Sequence, residues 1–343
     1  MQRLRPITLG TAVVLAAVTA AELFLRLMVP PEVAFGTWYS PGIHRADEQF
    51  GFLFQPGYRG VMHHADRVGG VPLRLDARGH RRSAGTGDRD VVLIGGASMV
   101  FSYGLPDAQT VHAELARRSP DLTVYNTAWP GFGTLRNWHV FRDRFEPDID
   151  PSIAVVFFYD AVPADFADTP DDFALPAPQP RDRLFRFRSD LVLYHSGRIA
   201  NLMGPWYYRS YVGHHLAAAA DDLLDGLLGD PRDEPGAPSA PASDGAARFV
   251  ALLRHLDDHF SQRGARMLVA FAPKRRRGAD FYEPLAELVP PDIPWIDLHG
   301  PLITRLGPDD WIASGHYGPP ITREMGRLLA ERIEGLPGSG RAD

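Results

Sequence analysis

The sequence of 343 residues contains no cysteine. A thiol nucleophile, a disulfide bond and a cysteine-ligated metal are therefore all excluded. The absence of cysteine does not define a compartment, because a secreted chain need not carry disulfides. Any covalent catalysis by this chain must use another nucleophile.

The chain also lacks a basic excess, because 36 Lys and Arg stand against 42 Asp and Glu, and the net charge is −6 at pH 7. A nucleic-acid partner is not expected from such a charge. The sequence has no phosphate-binding loop, no dinucleotide fingerprint and no G-x-S-x-G nucleophile elbow. The pairs His63–His64 and His214–His215 are adjacent residues whose side chains diverge in a strand, which argues against a metal site. The sequence therefore predicts neither a cofactor nor a bound metal.

A long apolar run near the N-terminus contrasts with the rest of the chain. As a helix, residues 7–28 would span about 33 Å, enough to cross the ~30 Å hydrocarbon core of a bilayer. Arg3 and Arg5 precede the run and favour a cytoplasmic N-terminus. We therefore expect a cytoplasmic tail over residues 1–6, a transmembrane anchor over residues 7–29, and a main domain outside the cytoplasm. A cleaved signal peptide with secretion is the alternative, because the uncharged part of the run is short.

Strand and helix patterns alternate regularly from residue 90 onwards. Strands are predicted at Val91–Ile94, Thr123–Tyr125, Ile153–Phe158, Arg266–Phe271 and Trp295–Ile296, and helices at 107–118, 134–145, 246–263, 280–288 and 320–334. Strands that alternate with helices form parallel βαβ units. The predicted fold class is therefore α/β, a three-layer αβα sandwich around a parallel five-stranded sheet. Ligands of such sheets bind outside the carboxyl ends of the strands.

Two segments do not follow this alternation. Residues 30–89 carry only short strand-like pieces, and they are predicted to wrap around the domain of residues 90–336. Residues 168–246 stand where a short crossover is usual, and they are predicted to form an inserted cap beside the site, with helices within 183–228. A surface excursion without a role is the alternative for this insertion. Residues 337–343 are predicted to be a flexible tail.

Three short segments follow predicted strands and carry residues suited to chemistry. "GGAS" places Ser98 after the first strand, where a helix begins. "NTAWPGFGT" follows the second strand and contains Asn126 and Gly131, and "SGHYGPP" places His316 after the last strand. The carboxyl ends of parallel strands lie at one edge of the sheet. We therefore expect a nucleophile, an amide donor and a general base to meet there.

The order and spacing of these segments resemble the SGNH, or GDSL-type, hydrolases, specifically their membrane-anchored bacterial branch. The segments that carry the resemblance cover nearly the whole chain: "AELFLRLMVPP", "FGFLFQPGYRG", "LRLDARGHRR", "VVLIGGASMVFSYGLPD", "VYNTAWPGFGT", "AVVFFYDAVPADF", "ARMLVAFAPKRRR", "WIDLHGPL" and "SGHYGPPITREMGRLLAERI". The resemblance implies a flavodoxin-like sheet, with Ser98 as nucleophile and His316 as its base. It also implies an oxyanion hole formed by the amides of Ser98 and Gly131 and by a donor at the position of Asp160.

Several positions depart from the pattern of that family. Ala97 stands where the family has an aspartate without a chemical role. Asp160 replaces an asparagine amide; an ionised carboxylate donates no hydrogen bond, so Asp160 would serve only when protonated, and a helix cap is its alternative role. The acid expected just before the histidine is absent, because Ala313 and Ser314 occupy those positions. The candidates for an acid that orients the histidine instead are Asp309, Asp310 and Asp297.

Two functions of different classes are predicted. The first is a serine esterase or O-acyltransferase that acts on ester-linked acyl groups of envelope glycans or lipids through an acyl-Ser98 intermediate. Its partners would be a small-molecule or glycan ester and, through the N-terminal helix, the membrane. The second is a catalytically inactive SGNH-fold protein that binds a glycan or a protein at the cell envelope. Asp297 and His299, in "IDLHG", are an alternative acid and base. The oligomeric state is not predicted.

Overall fold

The computed structural model of the chain describes residues 4–29, 39–40, 42–64, 67–159, 166, 169–175, 184–187, 190–193, 210–228, 242–272, 283–305, 307–312 and 315–336. The chain divides into two compact units. The first comprises Met1–Gln55 with Pro178–Gly236, and the second comprises Pro56–Ala177 with Ala237–Asp343.

The secondary structure is numbered here in chain order. The strands are β1 (His44–Asp47), β2 (Gly51–Phe54), β3 (Arg59–His64), β4 (Arg67–Arg74), β5 (Arg89–Gly95), β6 (Leu122–Asn126), β7 (Ile153–Phe158), β8 (Leu184–Phe187), β9 (Asp190–Leu193), β10 (Arg266–Phe271) and β11 (Trp295–Asp297). The helices are α1 (Leu4–Met28), α2 (Ala97–Val100), α3 (Val111–Arg118), α4 (Thr134–Arg144), α5 (Tyr211–Leu228), α6 (Ala242–Ser261), α7 (Glu283–Leu288), α8 (His299–Arg305) and α9 (Pro319–Glu334). Short 3-10 turns lie at Asp107–Gln109, Glu146–Asp148 and Pro308–Asp310.

A parallel five-stranded sheet forms the centre of the second unit. Its strand order is β6-β5-β7-β10-β11, so the predicted α/β fold with five parallel strands is confirmed. Every residue of β7 is buried, as expected when both faces of a sheet are covered. The chain passes from β5 to β6 on one side, and the later strands are added on the other side of β5. A crevice is expected at such a reversal, outside the carboxyl ends of β5 and β7.

The predicted helices are present, with shifted ends. The predicted helix over 107–118 is divided into a 3-10 turn and α3, because Thr110 caps α3 through a hydrogen bond from the Ala113 amide to its hydroxyl, at 3.4 Å. The helix predicted to begin at Ser98 is present as α2, whereas α8 was not predicted. Helix α8 contains only seven residues, too few to show a clear helical period in the sequence.

Contact between α3 and α9 joins the helix between β5 and β6 to the last helix of the second unit. Gly326 on α9 lies so close to α3 that a Cβ atom there would be 2.6 Å from Glu114 Cβ. Thr322 donates a hydrogen bond to the Gln109 carbonyl at 2.7 Å, just before α3. Because Ser98 precedes α3 and His316 precedes α9, this contact holds the two segments that carry them side by side.

The part of the predicted wrapping segment that follows Gln55 belongs to the second unit. Strands β3 and β4 pair antiparallel, and Ala84 forms a bridge with Val124 of β6, with N–O distances of 3.0 and 2.8 Å. Between them, the carboxylate of Asp76 accepts hydrogen bonds from the amides of Arg78 and His80. This turn delivers the chain to Arg81, which lies against the segment that follows Ser98.

Helix α1 provides the predicted apolar helix near the N-terminus. Over Gly10–Met28 it is long and apolar enough to cross a membrane, by length and composition. A signal sequence would satisfy the same criterion, so the alternatives of an anchor and a cleaved signal both remain. The prediction of a cytoplasmic N-terminus stays a prediction.

Glu22 of α1 binds the first turn of α5. Its carboxylate accepts hydrogen bonds from the Ser210 hydroxyl and from the amides of Tyr211 and Val212, at 2.9 to 3.1 Å. These bonds satisfy amide groups that have no partner within a helix. A segment distant in sequence therefore supplies the cap of α5.

The prediction of helices throughout 183–228 is only partly correct. Tyr211–Leu228 is helical, whereas β8 and β9 form an antiparallel hairpin. Their sequence "LFRFRSDLVL" alternates apolar and polar residues in its first half, which is a strand period and not a helical one. The prediction that this insertion caps the site stays a prediction, as does the flexible tail, which lies outside the described residues.

Candidate active site

A tight turn between β5 and α2 presents Ser98. Gly95, Gly96 and Ala97 have φ angles of 82°, 68° and 48°, three consecutive left-handed conformations. A Cβ atom on Gly95 would lie 2.6 Å from the Phe157 carbonyl oxygen, and one on Gly96 would lie 2.1 Å from a Val100 methyl carbon. The two glycines are therefore required by conformation and by space. The turn places the next residue, Ser98, partly exposed at the carboxyl end of β5.

The structure brings Ser98 and His316 together. Ser98 Oγ lies 2.8 Å from His316 Nε2, although the two residues are 218 positions apart. This distance is that of a hydrogen bond. The predicted meeting of a hydroxyl from the first βα junction with an imidazole from the far end of the chain is therefore present.

A short loop fixes the position of His316. Trp311 and Tyr317 form an antiparallel bridge across it, and the Ile312 amide donates to the His316 carbonyl at 3.0 Å. Gly315 turns the loop with a φ of 79°. Tyr317 is buried, and burial raises the pKa of its hydroxyl well above the usual value. His316, which is only 6% exposed as a residue, thus lies between the bridge residues Trp311 and Tyr317 and the start of α9.

The ring of Tyr103 lies against the imidazole of His316. The ring centroids are 4.9 Å apart and the planes are inclined by 51°. The Tyr103 hydroxyl donates a hydrogen bond to the His63 carbonyl of β3. Burial raises the pKa of this hydroxyl above its usual value, so the hydroxyl keeps its proton and remains a donor.

A fully buried arginine holds the chain that follows α2. The guanidinium of Arg81 donates to the carbonyls of Phe101 (3.2 Å), Ser102 (2.9 Å) and Leu105 (2.7 Å), and to the Asp107 carboxylate (2.7 and 3.2 Å). The Arg81 side chain has 0% exposure. A buried charge is tolerated only when it is paired and hydrogen-bonded, and this one satisfies both conditions.

The sequence suggested that Asn126 is an amide donor for a ligand. In the structure its side chain is hydrogen-bonded within the protein instead. Its amide nitrogen lies 2.7 Å from the Val100 carbonyl oxygen and 3.2 Å from His112 Nδ1. Its side-chain oxygen accepts from the Ala128 amide at 3.2 Å. The residue therefore ties the end of β6 to the end of α2, because its hydrogen-bonding groups meet partners from other elements. Its role is structural support beneath the turn.

His80 and His112 are buried and make the stability of the second unit dependent on pH. Burial, with a contribution from Arg78 for His80 and Arg81 for His112, lowers the pKa of each imidazole from 6.5 to about 3. Between these values the unfolded chain binds more protons than the folded chain. The free energy of unfolding is therefore at its full value above about pH 6.5, and it falls by about 1 kcal/mol per pH unit for each histidine as the pH drops toward 3.

Urea unfolding between pH 7 and pH 4 measures this dependence. His80→Phe is the matched variant, because a phenyl ring preserves the contact with Phe145, whose ring centroid is 3.5 Å from that of His80. We expect the variant to lose about half of the slope that these two histidines cause. An equal slope in the variant and the wild type would contradict the assignment for His80.

Gly131 lies in the loop between β6 and α4, at the same edge of the sheet. Its φ is 81°, it is exposed, and no atom lies within 4 Å of where a Cβ would stand. Asn137 shapes this loop: its oxygen accepts from the Trp129 amide at 2.6 Å, and its nitrogen donates to the carbonyls of Phe132 and Gly133. Asp160, the third predicted oxyanion position, lies outside the described residues.

The three aspartates predicted to orient His316 occupy different environments. Asp297 caps α8, accepting from the amides of His299 (2.7 Å) and Gly300 (2.9 Å). Asp310 accepts from the Gly307 amide at 2.6 Å. Asp309 is exposed on the 3-10 turn. The hydrogen bonds found for the carboxylates of Asp297 and Asp310 thus come from main-chain amides two or three residues away.

Asp297 and His299, the alternative acid and base, are in contact through the main-chain amide of His299. The contact found between them runs from the His299 amide to the Asp297 carboxylate, as in a helix cap. Burial lowers the pKa of the His299 imidazole, which has no exposed surface. Ala313 and Ser314, the positions of the missing acid, lie outside the described residues. Among the residues that the structure describes, no three His, Asp or Glu side chains are grouped as metal ligands.

Three supporting residues were missed in the sequence. Arg81 stands among the arginines of "LDARGHRR", which resemble a solvated surface, and its burial is not visible in that pattern. Tyr103 and Asn137 act through contacts with His316 and with the Gly131 loop, which are distant in sequence. The sequence did place Tyr103 close to Ser98, in the loop after α2, and this position was the available sign that Tyr103 lies near the site.

Comparison with known proteins finds no family model and no curated protein that matches the chain. The resemblance to SGNH hydrolases therefore stays a prediction from the sequence motifs.

Proposed function

We propose that the protein is an SGNH-type serine esterase or O-acyltransferase. The observation that carries this proposal is the distance of 2.8 Å between Ser98 Oγ and His316 Nε2 at the carboxyl edge of the parallel sheet. The strand order, which in sequence order is 2-1-3-4-5, is that of flavodoxin-like sheets and supports a three-layer sandwich. An isolated serine is a weak nucleophile, and a neighbouring imidazole is the group that activates it.

The proposed reaction begins with transfer of the Ser98 proton to His316 Nε2. The freed oxygen attacks the acyl carbonyl, a C–O bond forms, and the carbonyl oxygen becomes an oxyanion. The amides of Ser98 and Gly131 are the proposed donors to it; loss of one such donor typically lowers the rate about 100-fold. The oxyanion then becomes a carbonyl again, the ester C–O bond breaks, the imidazolium protonates the leaving alkoxide, and acyl-Ser98 remains. Water or a sugar hydroxyl next gives its proton to His316 and attacks the acyl carbon; the bond to Ser98 Oγ breaks, and Ser98 takes the proton back from His316.

The proposed substrates are ester-linked acyl groups of envelope glycans or lipids. The support is the apolar helix Gly10–Met28 with Arg3 and Arg5 before it, which favours a domain tethered at the outer face of a membrane. An acceptor hydroxyl that reaches acyl-Ser98 faster than water would make the enzyme a transferase.

Labelling with a fluorophosphonate tests the proposal. The full chain in detergent micelles is expected to form one covalent adduct, located on Ser98 by peptide mass spectrometry, and Ser98→Ala should form none. Ser152→Ala is the matched control, because its hydroxyl binds the Asp90 carbonyl at the other end of the sheet. Absence of labelling at Ser98 in a folded wild-type chain would favour the non-catalytic binding protein instead.

A further inference from the structure

We propose that Arg81 and Tyr103 are positioning residues of the Ser98–His316 pair. The inference rests on the proposed function, and it assigns a role to two residues outside the motifs that supply the nucleophile and the base. Arg81 belongs to the segment before the sheet, and Tyr103 belongs to the loop after α2. Neither residue supplies a reacting atom.

Tyr103 is tied to three parts of the site at once. Its amide donates to the Ser98 carbonyl at 3.0 Å, its ring contacts the His316 imidazole, and its hydroxyl binds the His63 carbonyl. The residue therefore spans from the main chain of the nucleophile to the ring of the base. Because the hydroxyl end is anchored on β3, the ring cannot swing away from the imidazole without breaking a buried hydrogen bond.

The contact between the two rings also has an electrostatic consequence. When His316 accepts the serine proton, the imidazole becomes a cation. An aromatic ring attracts a cation that lies within about 6 Å of its centroid, and the Tyr103 and His316 centroids are 4.9 Å apart with the planes inclined by 51°. The ring therefore stabilises the protonated form of the base, a role that a carboxylate has in most serine hydrolases.

Arg81 fixes the loop that carries Tyr103. Its guanidinium binds carbonyls on both sides of Tyr103, those of Ser102 and Leu105, and its Nε and one terminal nitrogen bind Asp107. Ser102 has a φ of 61°, a left-handed conformation that an L-residue adopts only when its surroundings impose it. The buried fork of five N–H groups supplies that constraint.

Substitutions of Tyr103 test the electrostatic and the anchoring parts separately. Tyr103→Leu removes the ring, whereas Tyr103→Phe removes only the bond to His63. For Tyr103→Leu we expect kcat for an activated ester to fall about 10-fold or more, and the acidic limb of kcat/KM to move to lower pH by on the order of half a pH unit. Tyr103→Phe should keep the position of that limb. Phe173→Leu, which removes a ring stacked on His255 at 4.7 Å, is the matched control and should change neither.

Substitutions of Arg81 and its partner test the clamp. Arg81→Lys keeps the charge but loses the fork, and a displacement of about 1 Å at the nucleophile is expected to lower kcat on the order of 100-fold with little change in KM. Asp107→Ala removes two of the bonds from a partly exposed position and provides a second variant if Arg81→Lys fails to fold. Arg89→Lys, which touches the Asp121 ion pair at the amino end of β5, is the control.

The outcomes separate this inference from the proposed function. A wild-type chain that reacts at Ser98, with Tyr103→Leu and Asp107→Ala both equal to it in kcat and pH profile, overturns the inference and leaves the function in place. A wild-type chain that does not react overturns the function. In that case the titration midpoint of the His316 ring, measured by NMR of 15N-histidine, still tests whether the Tyr103 ring stabilises the protonated imidazole. A lower midpoint in Tyr103→Leu supports this stabilisation, and an unchanged midpoint overturns it.

Discussion

Replacement of Ser98 or of His316 by alanine is expected to lower kcat/KM for an activated ester by about 10⁴-fold, with the fold intact. The two side chains are 2.8 Å apart, and in the proposed reaction they act as one unit, because the hydroxyl becomes nucleophilic only as the imidazole takes its proton. The double variant should therefore lose no more activity than either single variant. Initial rates of ester hydrolysis in detergent-solubilised protein measure all three.

His259→Gln provides a control for the histidine substitution. His259 lies on α6 and binds Glu146 at 2.7 Å, away from the serine, so its loss should leave kcat/KM within about 2-fold of the wild type. If the fold-loss of kcat/KM in the double variant equals the product of the two single losses, Ser98 and His316 act independently. Such a result would exclude the proposed proton transfer between them.

The second large effect is expected from Gly96→Ala, which should destabilise the second unit by about 3 kcal/mol or more. The new Cβ atom would stand 2.1 Å from a Val100 methyl carbon and 3.1 Å from Phe157 Cβ, in a conformation with φ at 68°. Strain and overlap therefore add at one position. Guanidinium unfolding followed by circular dichroism measures the change in the free energy of unfolding.

Gly264→Ala isolates the contribution of the backbone conformation. Gly264 also has a positive φ, of 76°, but no atom lies within 4 Å of its added Cβ. Its substitution should destabilise the fold by only about 1 to 2 kcal/mol. Equal losses in the two variants would show that steric overlap at Gly96 is relieved by movement of α2, and the turn would then be less rigid than we infer.

The apolar N-terminal helix and the candidate site belong to different units of the chain. Helix α1 and the Glu22 cap of α5 belong to the first unit, whereas Ser98, His316, Arg81 and Tyr103 all belong to the second. The contacts among these four residues and their neighbours are therefore internal to the second unit. None of the substitutions above alters a residue that anchors α5 on α1.

Periodic features of the fold were predictable because they are local. Apolar runs such as Val91–Ile94 and Ile153–Phe158 are strands buried on both faces, and their alternation with helices required a parallel sheet. The short helix α8 and the pairing of β8 with β9 were missed, since seven residues hardly display a period and a short alternating segment is easily assigned to a helix.

The candidate site was predictable only in part. Ser98 and His316 could be proposed because both follow strands whose carboxyl ends share one edge of the sheet. Asn126 was assigned wrongly for the same reason, since its position is right but its amide is used by Val100 and His112. A position at a strand end follows from topology, whereas the direction and partners of a side chain depend on neighbours from other elements.

By itself, the sequence determined the class of fold, the apolar N-terminal helix and the absence of thiol chemistry, because composition and period are properties of the chain alone. Tertiary structure alone decided that a buried arginine would clamp the loop after the serine and that a tyrosine ring would rest on the imidazole. These contacts join residues from β3, the turn before β5, the loop after α2 and the loop before α9. Such residues become neighbours only when α3 and α9 pack together, since hydrogen bonds and ring contacts act over a few ångströms and carry no signature along the chain.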